Sequence, residues 1–351
     1  MKAALITGSC GLVGSESVDF LHKKKFRVLG VDNNLRKHFF GKDGDTSWIK
    51  KNLISKNKNY KHFNTDIRSY SKMKLIFKKY NKSIKLIIHS AAQPSHDWAK
   101  NDPETDFSIN ANGTLVLLKL FKKYCPNAVF IFLSTNKVYG DNPNRYNFIE
   151  KKSRFTLKKF NKYYKGFDES LSVDDCVHSF FGASKLAADT LVQEYGKNFK
   201  LKTVCFRAGC ITGPNHSGAK LHGFLSFLIK QVINKKKYNI IGYKGKQVRD
   251  NIHSKDLINC FWEFFKKPKN GVVYNIGGGK FSNCSILEVI NLVEKKLNIK
   301  VKKKYTKINR TGDHKYYITD LTKFKKNYTK WKQFYSLEKI VDELIESEIK
   351  K

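Results

Sequence analysis

The sequence predicts a doubly wound α/β fold, a parallel sheet covered by helices on both faces, with a smaller C-terminal α+β lobe. Three observations predict it. Apolar runs at Lys2–Thr7, Arg27–Val31, Leu86–His89 and Val129–Ser134 are short and continuous, with helix-length segments between them; strands buried on both faces read this way. The first run leads into Gly8-Ser9-Cys10-Gly11-Leu12-Val13-Gly14, and helical periodicity follows. The second run ends in Asp32. Strand, glycine turn, helix, strand and acid together make a dinucleotide-binding unit of the Rossmann type.

Each glycine has its own physical role. One permits the tight turn, one lets backbone N–H groups approach a pyrophosphate, and one lets the helix pack against the strand. The helix N-terminus then faces the phosphate charge. A carboxylate at Asp32 holds both ribose hydroxyls and repels a 2′-phosphate, which favours NAD over NADP. Gly8, Cys10, Gly11, Leu12, Val13 and Gly14, with Asp32 and Asn33, are therefore the expected cofactor contacts. Asp66-Ile67-Arg68 follows another short apolar stretch, where an adenine-side loop belongs, and adds Asp66 and Ile67.

Composition narrows the class. A chain of 351 residues, 40% hydrophobic, buries a large core in one big domain or two unequal lobes. No apolar run approaches the ~20 residues of a membrane-spanning helix, and the chain enters a strand without a leader pattern. Seven cysteines, with no CxxC pair, fit a reducing cytoplasm rather than a disulfide framework or zinc site. No metal is expected. The net charge is +38, yet only eight of the 68 lysine and arginine residues are arginines. Phosphate-reading proteins favour arginine's bidentate fork. Lysine is instead spread through a chain rich in Asn, Ile, Phe and Tyr, all AT-rich codons, so no nucleic-acid partner is expected.

Residues 1–207 are expected to form the dinucleotide-binding domain. It includes helices over Glu104–Tyr124 and Gly182–Tyr195, a strand at Lys202–Arg207, and an irregular insertion at about 141–175. Residues 208–351 are expected to form the substrate lobe, with possible crossing of the chain between lobes. Its expected helices are Leu221–Asn234, Ile252–Phe265, Ser285–Leu297 and Leu337–Glu346, with strands near Tyr238–Ile241 and Val272–Ile276.

Four further segments carry chemistry. They are Ser134-Thr135 with Val138-Tyr139-Gly140, His178-Ser179-Phe180-Phe181-Gly182-Ala183-Ser184-Lys185, Gly245-Lys246-Gln247-Val248-Arg249-Asp250 with His253, and Arg310 near Gly312-Asp313. With the glycine spacing, they make nearly the whole chain resemble an extended short-chain dehydrogenase/reductase of the NAD-dependent nucleotide-sugar epimerase/dehydratase family. The HSxxGxSK and GKQVRDxxH spellings are most similar to those of CDP-paratose (CDP-tyvelose) 2-epimerases.

The resemblance implies a catalytic set of Ser134, Thr135, Lys185 and the position of Phe181. It implies that Lys185 also binds the nicotinamide ribose, and that Ser90, Ala91 and Ala92, after the fourth strand, lie against ribose and pyrophosphate. Gln93, Ser95, Tyr139 and Asn215 should face the sugar. Arg249 and Arg310 should bind the diphosphate, with surface ion pairs to Asp250 and Asp313 as the alternative. The family usually forms homodimers through two helices per subunit, here Glu104–Tyr124 and Gly182–Tyr195.

One departure stands out. The family's acid/base tyrosine is Phe181 here, and a phenyl ring moves no proton. Cys176, His178, Ser179, Tyr139, His96, His216, His222 and Lys185 are candidates to replace it. Alternatively, Thr135 with a water suffices, or the chain binds NAD and a sugar nucleotide without turnover. The expected function is NAD-dependent epimerisation of a nucleotide-diphosphate sugar: transient oxidation of a ring carbon, C2 of a CDP-sugar by spelling, and hydride return to the opposite face. A 4-epimerase or a 4,6-dehydratase is the sister reading. A dehydratase typically has an Asp-Glu pair where Asn136-Lys137 stands.

Overall fold

The structure, a computed structural model, describes residues 1–216, 223–307 and 312–350. The chain forms two compact units. The first comprises Met1–Thr135, Phe180–Arg207 and Ile258–Tyr274; the second comprises Asn136–Ser179, Ala208–Leu257 and Asn275–Lys351.

The first unit is built on β1 (Ala3–Thr7), β2 (Arg27–Val31), β3 (Tyr60–Phe63), β4 (Ile84–His89) and β5 (Val129–Thr135). The seven-stranded sheet runs Val272–Ile276, Lys202–Ala208, β5, β4, β1, β2, β3. The pairings of β1 with β2 and β4, of β2 with β3, and of β4 with β5 are all parallel. Every residue of β1 is buried, as its unbroken apolar run requires of a strand covered on both faces. The order reverses between β1 and β4, which creates the crevice where ligands bind in doubly wound sheets. The core combines Leu5, Leu29 and Ile87 of the sheet with Phe77, Leu117, Leu118, Phe121 and Val192 of covering helices.

Four sequence expectations needed revision. Glu104–Tyr124 is not one regular helix. Pro103–Phe107 and Gly113–Tyr124 flank a π-helical turn at Ser108–Asn112, where the inward side chain of Asn110 binds Gln93 and Ser184. The helix expected over Ile252–Phe265 starts two residues later, at Ser254–Lys266, because Ile252 and His253 close a buried strand, Val248–His253. Val272–Ile276, expected in the smaller lobe, is the outer strand of the central sheet. The 141–175 insertion belongs to the second unit, and residues 258–274 to the first, so a single boundary at 207 does not describe the chain. The insertion holds an antiparallel hairpin, Phe148–Glu150 with Phe155–Leu157. Hydrophobic periodicity reports burial, and these segments are buried in either unit.

The second unit has its own core of Leu228, Ile240, Val289, Ile290, Val293, Ile340 and Val341. Val248–His253 is its organising strand, paired with Asn283–Ser285, Tyr316–Tyr317 and Cys210–Thr212. Ser285 opens the helix Ile286–Leu297 through a capping box with Glu288.

Candidate active site

Sheet register places the candidate residues of the first unit together. Thr7 pairs with Val31 and with His89, and His89 pairs with Phe132. Gly8, Asp32 and Ser90 therefore leave their strands at one level, with Ser134 and Thr135 just beyond on β5.

The turn after β1 is built around its glycines. Gly8 has φ +69°, and a Cβ there would lie 2.8 Å from the Ala91 nitrogen. A Cβ on Gly14 would lie 2.0 Å from the Gly8 oxygen, so only glycine lets this helix, Leu12–Lys23, approach the turn. At Gly11 the nearest atom to such a Cβ is 3.4 Å away. Gly11 is the N-cap, and no side chain caps this helix. Its first N–H groups have no intrahelical partner, which suits them to a phosphate. The Cys10 N–H donates to Asp32 Oδ2 at 2.9 Å, and the Asn34 N–H to Asp32 Oδ1 at 2.8 Å. These bonds aim the carboxylate while leaving it lone pairs for ribose hydroxyls. Burial, reinforced by Asp32, pushes the Cys10 thiol up to about 12, so Cys10 contributes its backbone rather than a thiolate. The cradle fits a dinucleotide.

The flanking contacts are uneven. Asp66 is gripped by Arg68 through Nε at 3.0 Å and Nη2 at 2.7 Å, and accepts a bond from Asn33 Nδ2 at 3.3 Å. The Ile67 side chain is buried where Gly113 leaves room for it. The Ser90 hydroxyl donates to the Thr7 carbonyl at 2.8 Å. Ala91 and Ala92 are half-buried. Sequence reasoning missed His89 as a structural centre. Its imidazole bonds Thr7 Oγ1 at 2.7 Å and Thr114 Oγ1 at 2.9 Å, and burial pushes it down to about 3. A neutral, doubly bonded histidine ties β1 and β4 to the helix Gly113–Tyr124.

The expected catalytic residues divide. Ser134 is buried and donates to Asp189 Oδ2 at 2.5 Å. Asp189 is also bound by Arg207, through Nε at 3.1 Å and Nη2 at 2.9 Å. Ser134 therefore belongs to a buried ion-pair network, and Thr135 is half-buried at the end of β5. Lys185 sits on the helix Ser179–Asn198, one turn after Phe181. Its Nζ donates to the Leu133 carbonyl at 2.8 Å and lies 4.1 Å from the Phe132 ring centroid. Burial pushes its ammonium down to about 8, against opposing pulls from Asp189, Cys205 and Asp106. Phe181 is 7% exposed, and the His96 ring stands edge-on to it.

Gln93 and Ser95 do not fit the sugar contact expected of them. The Gln93 amide donates to Asp106 Oδ1 at 2.7 Å and to the Ser95 carbonyl at 2.8 Å. Its carbonyl accepts the Ser95 N–H, and Ser95 Oγ caps the Trp98 N–H at 3.3 Å. Both are buried polar residues whose hydrogen bonds are made within the fold.

In the second unit, Tyr139 is wholly buried, and its hydroxyl donates to Asn275 Oδ1 at 2.8 Å, which likewise opposes a sugar contact. Asn215 lies half-buried in a turn. Arg249 ion-pairs with Asp313, not with Asp250. Lys137 Nζ stands 3.9 Å from the same carboxylate and donates to the Gly312 carbonyl at 2.8 Å. Burial opposes the Asp313 charge, but Arg249 and Lys137 outweigh it and hold the carboxyl far below its usual range. Two cations sharing one anion leave net positive charge, as a diphosphate requires. Arg310 and His222 lie outside the described residues. Among the described residues no cluster of metal-ligating side chains and no helix long and apolar enough to cross a membrane occurs.

Comparison with known proteins agrees with this geometry. Residues 4–277 match the profile of the NAD dependent epimerase/dehydratase family. The chain is 32% identical over 329 residues to CDP-paratose 2-epimerase of Salmonella typhi, covering 91% of each chain. It is 29% identical to UDP-glucuronate 4-epimerase of Thermodesulfobacterium geofontis, covering 92% of this chain and 88% of that one. Among solved structures, dTDP-glucose 4,6-dehydratase of Bacillus anthracis in complex with NAD superposes with a TM-score of 0.77 at 22% identity, covering 100% of this chain and 97% of that one. A tyrosine-to-phenylalanine variant of Bacillus cereus UDP-glucuronic acid 4-epimerase, solved with NAD and a fluorinated UDP-sugar, superposes with a TM-score of 0.79 at 24% identity, covering 99% of both.

Proposed function

Because the chain belongs to the NAD dependent epimerase/dehydratase family, we propose that it epimerises a nucleotide-diphosphate sugar, and specifically C2 of a CDP-sugar. The cofactor cradle is the observation that carries the reading. Gly8, Gly11 and Gly14 present an uncapped helix N-terminus, and Asp32 is aimed by two backbone N–H groups. Bound NAD supplies a reversible hydride acceptor. The chain's own residues do the rest. Thr135 orients the sugar hydroxyl at the end of β5. Lys185, whose ammonium has three donors and gives one to Leu133, turns the others to the nicotinamide ribose. Arg249, with Lys137 beside Asp313, holds the diphosphate. The choice of C2 and of cytidine rests on the 32% identity to CDP-paratose 2-epimerase across 91% of the chain.

The reading includes a homodimer formed through Gly113–Tyr124 and Ser179–Asn198, and a cytoplasmic setting in keeping with seven free cysteines. Purified protein should release NAD on denaturation and elute at twice its monomer mass. It should invert C2 of a CDP-sugar, detected by NMR, in preference to UDP-, GDP- and ADP-sugars. Inversion at C4 instead would move the reading to the sister 4-epimerase. A second reading, binding without turnover, is favoured by one observation, the phenyl ring at position 181. NAD and nucleotide-sugar binding without conversion of any of these sugars would establish it.

A further inference from the structure

Loss of the phenol at position 181 leaves a proton without a carrier, and the first unit offers another. The His96 imidazole stands edge-on to Phe181, with ring centroids 4.8 Å apart and planes at 64°. A titratable ring therefore packs directly on the ring that replaces the tyrosine.

A buried carboxylate fixes this placement. Asp106 accepts bonds from the Gln93 amide at 2.7 Å, from Asn110 Nδ2 at 3.1 Å and from the Ser184 hydroxyl. Gln93 is locked to Ser95, and Ser95 caps the short helix that His96 begins. Ser184 lies between Phe181 and Lys185 on their helix. One cluster thus sets the segment bearing His96 against the helix bearing Phe181 and Lys185. Four of the other candidates make bonds elsewhere in the fold. The Cys176 thiol lies 3.3 Å from His178 Nε2, which also bonds the Val173 carbonyl at 2.8 Å. Tyr139 binds Asn275, and Lys185 binds Leu133.

We infer that His96 is the acid/base residue of this chain, replacing the missing phenol. The inference rests on the proposed epimerase activity. In the oxidative half, the sugar C–H bond breaks with its electron pair passing to NAD. The hydroxyl proton passes to a neutral His96 nitrogen as the C=O bond forms. In the return half, the hydride re-adds to the other face of that carbon, and His96 returns the proton to oxygen, so nothing is consumed.

The test uses the NAD-loaded full chain, His96→Gln, Phe181→Tyr and the double variant. His96→Gln should lower kcat by roughly 10²–10⁴-fold, with NAD content, KM and melting temperature near the parent's. Phe181→Tyr added to it should restore turnover at least tenfold. His96→Gln turning over within threefold of an active parent would overturn the inference alone. A parent that converts no nucleotide sugar overturns both the inference and the epimerase reading; if Phe181→Tyr then creates activity, the chain is a binding protein.

Discussion

Ser134 donates its hydroxyl proton to Asp189 at 2.5 Å, and this bond separates the two adjacent hydroxyls that close β5. The acceptor carboxylate, fully buried, also pairs with Arg207. Ser134→Ala should therefore cost about 1–3 kcal/mol of stability, the effect of leaving a buried charged acceptor short of a donor. NAD binding and kcat per folded molecule should hold. Thr135→Val should turn over at least tenfold more slowly per folded molecule. Thermal melts beside single-substrate kinetics decide. A Ser134→Ala variant that melts like the parent and loses turnover would return Ser134 to the chemistry.

The glycine turn separates folding from binding in a second way. Gly14→Ala should unfold or displace the turn, because its Cβ would sit 2.0 Å from the Gly8 oxygen. Gly11→Ala meets nothing closer than 3.4 Å, so its melting temperature should match the parent's. Its methyl projects at the uncapped helix end, and NAD affinity should fall at least tenfold. Unchanged NAD affinity in Gly11→Ala, read by titration, would remove the phosphate from this turn.

These contrasts mark what was legible in the sequence. β1, β2, β4 and β5 were readable because unbroken apolar runs between helical segments have few other folded uses, whereas β3, Tyr60-Lys61-His62-Phe63, carries no such run; Gly8 and Gly14 were readable because only glycine tolerates their surroundings. Polar residues were harder. Gln93, Ser95, Ser134 and Tyr139 stand where ligand contacts belong in chain order, yet each side chain bonds within the fold. Their partners, Asp106, Trp98, Asp189 and Asn275, include residues far away in the chain, and spacing carries no record of such pairing. The Arg249–Asp313 pair was hidden for the same reason. The edge-on packing of His96 on Phe181 spans 85 positions and was hidden in the same way.

Arg249 and Asp313 make a third prediction. Arg249→Met leaves the half-buried Asp313 carboxylate without its guanidinium partner, with Lys137 at 3.9 Å. The variant should melt lower and raise KM for the nucleotide sugar. Arg249→Lys keeps the charge and loses the fork, so its melting temperature should largely recover while KM stays high. If both variants bind nucleotide sugar as tightly as the parent, Arg249 only holds Asp313 in place.

Lys185 carries a pH prediction whose sign follows from its burial. Its ammonium falls from 10.5 to about 8 in the folded chain, with burial the largest cause. Between those values the unfolded chain binds the extra proton, so stability rises with pH. Below pH 8 both states are protonated, and the folded state bears the full cost of a desolvated cation, roughly 3 kcal/mol at 1.36 kcal/mol per pKa unit. Lys185→Met, similar in shape and uncharged, should therefore raise the melting temperature at pH 7. Its advantage should shrink as pH rises from 8 toward 10.5, where the parent lysine becomes neutral. The same variant should lose epimerase turnover, because methionine offers no donor to a ribose. Melts of both proteins at pH 7, 8, 9 and 10 read the first effect, and turnover at pH 7 reads the second. A stability gap that stays constant across that range would show that Lys185 is not desolvated in the folded protein.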